Sequence, residues 1–374
     1  MQELYIGLLS GTSVDAVDAA LIDFSHEKPL LLAIHKQIMP SDLRQAIMTL
    51  CQPGENEINK MGMLDRELGL LFASTAKTLL QKTAYKPQDI QAIGSHGQAI
   101  RHHPNIAKPF TLQIADPNII AAQTGITTIA DFRRRDLAVG GQGAPLAPGF
   151  HHHVFHSEKE DRIVLNIGGI ANITWLPKDK SQAVIGFDTG PGNTLLDAWI
   201  NRHLNQAYDK EGQWAASGKI HQALLDLLLS NDYLKRSPPK STGPEYFHLA
   251  ALEQHMVSLS IDTTTPPQDI QATLVEFTAL SIAQAIERFA PTAKTILICG
   301  GGLRNSYLIK RLATHCPSRE LRSTADFGMD PEWVEAATFA WLAQQTTKGL
   351  AGNLPSVTGA KQATLLGGIY PRQV

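Results

Sequence analysis

Apolar residues recur in the first part of the chain in a way that predicts short buried strands separated by turns and helices. The apolar runs Leu4–Leu9 and Val17–Phe24 enclose the polar segment Ser10–Ser13, which predicts a β-hairpin. A mainly helical pattern covers about Leu43–Leu80, and Ile90–Ser95 is typical of a buried strand. The predicted strands therefore end at polar or glycine-rich turns.

The second half of the chain repeats this pattern. Ile163–Ile167 and Thr295–Cys299 are typical of buried strands, and glycines follow each of them directly. Asn305 is placed to cap a helix after the second of these strands. A later helix is predicted to begin at Asp330, because Asp can cap it and Pro331 suits the first helical position. Strands that alternate with helices predict an α/β fold with a mixed sheet in each of two lobes.

A boundary between the two lobes is predicted near residue 150. Glycine and polar residues concentrate between Asp131 and Gly149, and the charged run Ser157–Arg162 follows. We divide the chain into an N-terminal lobe, residues 1–150, and a C-terminal lobe, residues 151–374, whose last helix could pack back on the first lobe. A strand, a glycine turn and a second strand open each half, which indicates two related lobes.

Composition excludes several classes of partner. The chain has 374 residues, 43% hydrophobic and 18% charged, with a net charge of −2, so it offers no basic surface for nucleic acid. The sequence contains neither the pattern of a signal peptide nor the ~18 consecutive apolar residues that a membrane span needs. The three cysteines, Cys51, Cys299 and Cys316, form no CxxC pair and suit a reducing compartment. We therefore expect a cytoplasmic protein with small-molecule ligands.

Four glycine-rich or polar turns at predicted strand ends are candidate phosphate sites. Glycine lets the backbone approach a phosphate closely and lets successive N–H groups point inward. One such turn is usually only a turn, but four of them in both lobes favour a nucleotide. The usual phosphate-binding loop and the dinucleotide fingerprint are both missing from the sequence, which indicates a different architecture. The turns are Ser10–Ser13, Asn166–Gly169, Gly186–Asn193 and Gly300–Gly302.

The combination of these turns with other motifs resembles one family. Gly7–Asp15, Asn166–Asn172 and Ile296–Asn305 resemble the two phosphate segments and the adenosine-binding turn of the actin/hexokinase-like (ribonuclease H-like) superfamily. Within that superfamily, the chain is similar to the anhydro-N-acetylmuramic acid kinases. The motifs that carry this resemblance are Ser10–Asp18, Gly94–Gln98, Ala130–Asp136, Gly140–Leu146, Asn166–Gly169 and Gly186–Asn193.

The resemblance implies a two-lobed fold with a mixed sheet in each lobe and a central cleft. It also suggests a homodimer. One position departs from the family's pattern, because Ala16 stands where the family usually has glycine in the opening turn. Alanine can serve there only if the backbone does not need a positive φ.

The resemblance further implies a reaction with two parts, which serves the recycling of cell-wall peptidoglycan. Water opens the anhydro bond of 1,6-anhydro-N-acetylmuramic acid at C1, and ATP phosphorylates O6, giving N-acetylmuramic acid 6-phosphate and ADP. Glycosidases stabilise the leaving oxygen with a carboxylic acid. Here the leaving O6 can attack the γ-phosphoryl group, so one carboxylate base for the water is sufficient. Mg²⁺ is expected with ATP, because it bridges and neutralises phosphate oxygens.

Asp188 is the candidate base. It matches the family's catalytic aspartate, and Gly186–Gly190 has the composition of an open turn that would expose the side chain. From the residues alone, Asp188 is equally well explained as an Asx-turn residue that stabilises its own loop. Glu335, on the late helix, is a second candidate for sugar contact, with a solvated helix residue as the alternative.

Three consecutive arginines form the clearest cationic cluster. The sugar carries a lactyl carboxylate, which an arginine can hold through two parallel hydrogen bonds. On a strand, successive side chains point to opposite faces, so Arg134 would point away from Arg133 and Arg135. Arg133 and Arg135 are therefore the candidate sugar residues. His96, beside Gly97 at a predicted strand end, is a further candidate for a sugar hydrogen bond, with a structural histidine as the alternative.

The resemblance also assigns the residues that contact the nucleotide. Asp15 and Asp18 are in addition candidate ligands of Mg²⁺ through water. The nucleotide residues are Gly11, Thr12, Ser13, Asp15, Asp18, Gly168, Gly169, Gly300, Gly301, Gly302 and Asn305.

Two alternatives to this function stay open. One is a non-catalytic or chaperone-like ATPase of the same superfamily, although the sequence contains no peptide-binding appendage to support it. The other is a kinase that acts on another sugar without opening a ring.

Overall fold

The computed structural model describes residues 2–242, 246–262 and 264–372. Its contacts divide the chain into two compact units, one formed by Met1–Val154 with Gly328–Val374 and the other by Phe155–Phe327. The boundary predicted at residue 150 lies close to the first division. Residues 328–374 group with the first unit. The prediction assigned them to the C-terminal lobe, with a last helix that could pack back on the first lobe.

Strands and helices alternate along most of the chain, and no helix of the described ranges is long and apolar enough to cross a bilayer. The strands are β1 (Leu4–Leu9), β2 (Ala16–Asp23), β3 (Leu30–Ile38), β4 (Ile90–Ser95), β5 (Gln98–His103), β6 (Phe110–Ile114), β7 (Thr128–Ala130), β8 (Arg162–Ile167), β9 (Ile170–Leu176), β10 (Ile185–Pro191), β11 (Thr295–Cys299), β12 (Glu320–Ser323) and β13 (Gly368–Tyr370). The α-helices are α1 (Ser41–Leu50), α2 (Glu57–Gln81), α3 (Pro117–Thr124), α4 (Phe132–Ala138), α5 (Ala147–Phe155), α6 (Thr194–Leu204), α7 (Gln213–Ala216), α8 (Gln222–Leu229), α9 (Asp232–Lys235), α10 (Leu249–Ser258), α11 (Pro267–Phe289), α12 (Ser306–His315), α13 (Val334–Thr347) and α14 (Pro355–Thr358). Short 3₁₀ helices lie at Pro87–Asp89, Lys210–Gly212, Gly301–Arg304 and Thr324–Phe327.

The first unit contains a six-stranded mixed sheet with the order β13-β7-β4-β1-β2-β3. β1 and β2 form the predicted N-terminal hairpin, with Leu9 opposite Asp18. β1 runs parallel to β4, and β4 runs parallel to β7. The carboxyl ends of β1 and β4 therefore lie side by side, and the amide of Ser10 donates to the carbonyl of Gly97 at 3.4 Å.

Helices cover both faces of this sheet. Phe72 of α2 is buried in one apolar cluster with Ile6 and Leu8 of β1. Gly7 lies between these strand residues and so faces the other way, where a Cβ atom would be 1.8 Å from the carbonyl oxygen of Ala336 in α13. This close approach of α13 to β1 explains why the C-terminal residues belong with the first unit.

The second unit contains a five-stranded mixed sheet with the order β10-β9-β8-β11-β12. β8, β9 and β10 pair antiparallel, whereas β11 runs parallel to β8 and to β12. Helix α11 is largely buried, and its Phe277 shares an apolar cluster with Leu165 and Ile298 of the sheet. The two α/β units, each with a mixed sheet, confirm the predicted fold class.

Two predicted helices have different bounds in the structure. The helical stretch Leu43–Leu80 is two helices, α1 and α2, separated by a short turn. The late helix begins at Val334, three residues after Pro331. Asp330 still acts as a local cap, because its Oδ1 accepts the amide of Glu332 at 2.9 Å, but it caps the turn that precedes the helix.

Candidate active site

The turn of the β1–β2 hairpin presents two exposed hydroxyl groups, those of Thr12 and Ser13. Ser13 Oγ donates to Asp15 Oδ1 at 2.6 Å. The guanidinium of Arg44 donates to the Ser13 carbonyl, at 3.3 Å from Nε and 3.2 Å from Nη2. The main chain of the turn is thus anchored by Arg44, while Thr12 faces solvent.

The backbone of this turn accommodates alanine at position 16. The left-handed residue is Val14, with φ of 52°, and its amide donates to the Gly11 carbonyl at 3.2 Å. Ala16 is the first residue of β2 and pairs with Ile38 of β3, so it needs no positive φ. A Cβ on Gly11 would meet no atom within 4 Å, which leaves its backbone open to a ligand.

In the second unit, the turn between β8 and β9 is fixed by the residues that follow β10. The amides of Gly192 and Asn193 donate to the carbonyls of Gly169 and Gly168, both at 2.8 Å, and the Thr194 amide donates to Gly169 at 3.1 Å. A Cβ on Gly192 would lie 2.3 Å from the Gly168 carbonyl oxygen. Two of the predicted glycine turns therefore form one compact structure.

The third glycine turn joins them from β11. Gly300 has φ of +82°, and a Cβ there would lie 2.3 Å from Oδ1 of Asn166, at the end of β8. A Cβ on Gly302 would lie 2.3 Å from Cγ2 of Ile167. Parallel pairing of β8 with β11 brings these turns to the same edge of the sheet. Glycine is required here because another backbone or side chain occupies the space of a Cβ.

Asn305 caps α12 as predicted. Its Oδ1 accepts the Leu308 amide at 3.0 Å, and the residue is 8% exposed. A Cβ on Gly212 would lie 2.2 Å from the same oxygen, so the turn at Lys210–Gly212 packs directly against the cap.

Asp188 lies in strand β10 and not in the open turn that its glycine-rich surroundings suggested. It pairs with Asn172 of β9, and the register shifts between Asp188 and Gly190, which marks a β-bulge. β10 is an edge strand. The main-chain groups of Asp188 find partners beyond the sheet: its amide donates to the carbonyl of Lys240 at 3.4 Å, and Tyr233 Oη donates to its carbonyl at 2.9 Å. Edge strands and bulges tolerate the glycine and proline that suggested a turn.

The carboxylate of Asp188 is half-buried, and its Oδ2 accepts the amide of Thr242 at 2.9 Å. Lys240, which precedes Thr242 by two residues, is 7% exposed. Burial lowers the pKa of Lys240 to about 8; the charge of Arg288 acts in the same direction and that of Asp188 in the opposite one. Sequence reasoning missed Lys240 and Tyr233, because a lysine after two prolines is typical of a solvated loop.

In the first unit, the buried His96 forms a hydrogen-bonded pair with the half-buried Arg133. Arg133 Nε donates to His96 Nε2 at 3.0 Å, and His96 Nδ1 lies 3.0 Å from the Gly97 carbonyl. Burial, followed by the charge of Arg133, holds the pKa of His96 well below its ordinary value, so the ring is neutral and Nδ1 carries the proton. Both ring nitrogens are therefore engaged within the protein, which favours the structural alternative for His96.

The three arginines lie in helix α4, not on a strand, so they point in three directions around the helix axis. Arg133 is half-buried, and its Nη1 donates to the Gly143 carbonyl at 3.2 Å. Arg134 is exposed and forms an ion pair with Asp131 at 2.7 Å. Arg135 is exposed. The cluster thus divides into one inward-facing and two outward-facing cations.

Two cavities lie beside this helix within the first unit. The first, of about 250 Å³, is lined by His96, Asp131 and Arg134, among others. The second, of about 350 Å³, shares Asp131 and Arg134 and adds Arg135. Glu335 is not among the residues that line either cavity. It is exposed in the first turn of α13.

Asp15 and Asp18 differ in their fitness as metal ligands. Asp15 is exposed beside the hairpin hydroxyls. Asp18 forms an ion pair with Lys36 at 3.3 Å, and burial raises its pKa although Lys36 acts to lower it. No group of three or more His, Cys, Asp or Glu that could enclose a metal is found in the described ranges. Mg²⁺ in a kinase needs only one or two protein carboxylates besides phosphate and water, and Asp15 fits that role better than Asp18.

Known proteins resemble the chain over nearly its whole length. A family model described as anhydro-N-acetylmuramic acid kinase matches residues 3–372. The anhydro-N-acetylmuramic acid kinase of Coxiella burnetii (strain RSA 493 / Nine Mile phase I) is 52% identical over 369 residues, which are 99% of this chain and 98% of that protein. The protein of the same description from Shewanella denitrificans is 52% identical over 369 residues, 98% of each chain.

Among solved structures, the activator of the 2-hydroxyisocaproyl-CoA dehydratase from Clostridium difficile, with bound ADPNP, is 14% identical to this chain. The TM-score is 0.47, and the similarity covers 93% of this chain and 96% of that one.

Proposed function

Because this chain belongs to the anhydro-N-acetylmuramic acid kinase family, we propose that it opens the anhydro bond of 1,6-anhydro-N-acetylmuramic acid and phosphorylates O6 with ATP. The products are N-acetylmuramic acid 6-phosphate and ADP, and the protein is a phosphotransferase with an alcohol group as acceptor. The match over residues 3–372, with relatives 52% identical, carries this proposal. The reaction returns a sugar of the cell wall to metabolism.

Asp188 is the proposed base. Its carboxylate takes a proton from the water that attacks C1, and the C1–O6 bond breaks. The leaving O6 forms a bond to the γ-phosphorus, the bond from that phosphorus to the bridging oxygen breaks, and ADP leaves. The proton on Asp188 then returns to solvent. The hydrogen bond from the Thr242 amide supports this role, because it fixes the orientation of the carboxylate.

The glycine turns of the second unit are the proposed site for phosphates and adenosine. Gly168, Gly169 and Gly300–Gly302 lie where parallel strands β8 and β11 end. A Cβ at Gly169, Gly300 or Gly302 would lie within 3 Å of a neighbouring atom, and a Cβ at Gly301 would meet no atom within 4 Å. Such a surface of bare main chain suits phosphate. Asn305 is proposed to lie near the adenosine.

The hairpin turn of the first unit is the second proposed phosphate contact, through Gly11, Thr12 and Ser13. Mg²⁺, when bound, supplies positive charge to the phosphate oxygens. The exposed carboxylate of Asp15 would hold it, with Asp18 as a more distant partner through water.

Arg133 and Arg135 are the proposed arginines of the sugar site, and because they face different directions around α4, Arg135 is the proposed partner of the lactyl carboxylate. Arg135 is exposed and lines a cavity, and Arg133 is held in place by His96. His96 therefore supports the sugar site through Arg133 and not through a hydrogen bond of its own. Glu335, exposed at the start of α13, is the proposed further contact to the sugar.

A cytoplasmic homodimer is the proposed state of the protein. Use of ATP and three free cysteines support the cytoplasm. The family resemblance supports the homodimer, and sedimentation at micromolar concentration tests it.

Product analysis tests the function. Incubation with ATP and the anhydro sugar should form ADP only when the sugar is present. The product should be heavier than the sugar by one water and one phosphoryl group. ADP formation that is independent of sugar would indicate a chaperone-like ATPase, and a product without the added water would indicate a plain sugar kinase. Either result overturns the proposal.

A further inference from the structure

The segment from Tyr233 to Thr242 runs along the free edge of β10 at Asp188. Tyr233, fully buried at the start of this segment, donates its hydroxyl to the Asp188 carbonyl at 2.9 Å. Thr242, at the other end, donates its amide to Asp188 Oδ2 at 2.9 Å. Lys240 accepts the Asp188 amide through its carbonyl at 3.4 Å. Three groups of the base are thus bound by one segment.

The side chain of Lys240 holds this segment to itself. Its Nζ donates to the carbonyl of Tyr233 at 3.2 Å and to that of Leu234 at 3.3 Å. The same Nζ lies 4.7 Å from the ring centre of Tyr233 and 5.4 Å from that of Phe187. Lys240 therefore connects the two ends of the segment. At one end Tyr233 binds the Asp188 carbonyl, and at the other Lys240 and Thr242 bind the Asp188 amide and carboxylate.

The charge of Lys240 has an electrostatic cost that packing alone does not explain. Burial of an ammonium group is unfavourable, and an apolar side chain would fill this space without that cost. The charged groups that act on Lys240 are the cations Arg288 and Arg236, which disfavour its charge, and Asp188, which favours it. Arg288 and Arg236 are exposed, so solvent screens them. Asp188 is the one anion among these three groups, and its charge offsets part of the cost of burying the ammonium group.

We propose that Lys240 and Tyr233 are positioning residues for Asp188, which fix the carboxylate in one orientation and keep it ionised. The proposal rests on the proposed function, in which Asp188 is the base. Tyr233 fixes the main chain of the base through its hydroxyl. Lys240 holds the Thr242 amide in place through the segment, and its charge favours the form of the carboxylate that can accept a proton.

Lys240→Met tests the charge, and Lys235→Met is the matched control. Lys235 belongs to the same segment, but its side chain is exposed and pairs with Asp232. In Lys240→Met we expect kcat to fall roughly 10- to 100-fold, because small displacements of a catalytic group have effects of this size. The KM for ATP should change less than about two-fold, since the proposed contacts to ATP are not altered. The acid limb of the pH profile of kcat/KM should move to higher pH, because the base loses a neighbouring cation. Lys235→Met should match the wild type in all three.

Two further variants separate the roles. Lys240→Arg keeps the charge, so its acid limb should stay at the wild-type position. Tyr233→Phe keeps the ring beneath Lys240 and removes only the hydroxyl, so kcat should fall several-fold with an unmoved acid limb. Thermal melting of each variant shows whether it is folded.

An unchanged kcat and pH profile in Lys240→Met overturns the proposal. A lower kcat with an unmoved acid limb in that variant also overturns it, because lost packing alone would have that effect. These failures differ from failure of the proposed function. If Asp188→Asn keeps wild-type turnover, the base assignment is wrong; if it is inactive while Lys240→Met is normal, only the positioning role is lost.

Discussion

At the scale of single residues, the main chain holds the Asp188 carboxylate in one orientation. We expect Asp188→Asn to lower turnover at least ~100-fold, because an amide cannot accept the proton of the attacking water. Isothermal titration should show ATP binding within about two-fold of wild type, since the glycine turns are untouched. Asp179→Asn, an exposed carboxylate in the same unit, is the control and should be fully active. Wild-type turnover in Asp188→Asn would contradict the assignment.

Asp197, in α6, should make stability depend on pH. Burial, with the charge of Asp209 as the second cause, raises its pKa from 3.8 to about 7. The folded state therefore binds a proton that the unfolded state releases between pH 4 and 7, and stability falls as pH rises through this range. Asp197→Asn should be more stable than wild type at pH 8 by about 1–2 kcal/mol, after discounting for its partial exposure. The difference should disappear near pH 4. Denaturant unfolding at both pH values measures this, and an equal difference at both would contradict it.

At the scale of elements, α13 lies so close to the first sheet that two strand positions admit only glycine. A Cβ would lie 1.8 Å from the Ala336 carbonyl at Gly7 and 1.9 Å from the Phe339 carbonyl at Gly94. Gly7→Ala or Gly94→Ala should cost more than about 2 kcal/mol, because the helix must move away from its packed position. Gly62→Ala is the control, since Gly62 lies in α2 with open space at its Cβ and alanine favours a helix. Thermal unfolding of the three variants gives the comparison, and equal effects would refute the close-packing explanation.

Helix α12, which Asn305 caps, is joined to α11 by the buried carboxylate of Glu276. Arg311 donates to Glu276 at 2.6 Å and 2.7 Å, and His315 Nε2 lies 2.8 Å from the same carboxylate. Glu276→Gln should destabilise the protein by about 2–3 kcal/mol, because it leaves Arg311 without its charged partner in a largely buried site. Glu253→Gln, at an ion pair with Arg202 that is exposed on both sides, should cost less than about 1 kcal/mol. Chemical denaturation measures both, and similar values would contradict the expectation.

At the scale of the whole molecule, Cys51, Cys299 and Cys316 are free, and two of them are buried. The melting temperature should therefore be the same with and without reductant. Thiol titration of the denatured protein should give three groups per chain. A lower melting temperature in reductant would show a disulfide and would also argue against the cytoplasm.

Much of the fold followed from residues near one another in the sequence. Glycine or polar turns after apolar runs located the ends of β1, β8 and β11, because strand and turn propensities agree there. The return of residues 328–374 to the first unit was anticipated only as a possibility for the last helix, and no residue near that helix required it. It depends on the fit of α13 against Gly7 and Gly94, and a glycine in a strand carries no local sign of the helix that requires it.

The candidate site likewise contains some features that the sequence predicted and others that it did not. The glycine turns were found because their chemistry lies in the main chain, which glycine marks directly. The surroundings of Asp188 were misread as a turn, because an edge strand with a bulge has the same composition and its partners are 45 residues or more away. Arg133, Arg134 and Arg135 were misplaced on a strand, since the left-handed Asp131 that precedes helix α4 has no distinctive signal in the sequence.

The division of the chain also sets an order in which it can fold during synthesis. The second unit, Phe155–Phe327, is one continuous stretch of chain, so all its strands are made in succession with no element of the first unit between them. The first unit begins earlier but finishes later, because α13 and β13 follow the second unit along the chain. Until then, Gly7 and Gly94 lie on an uncovered sheet face, and β7 lacks its antiparallel neighbour. The nascent N-terminal half must therefore remain incomplete, and open to chaperones, for the time that a ribosome takes to translate more than half of the chain.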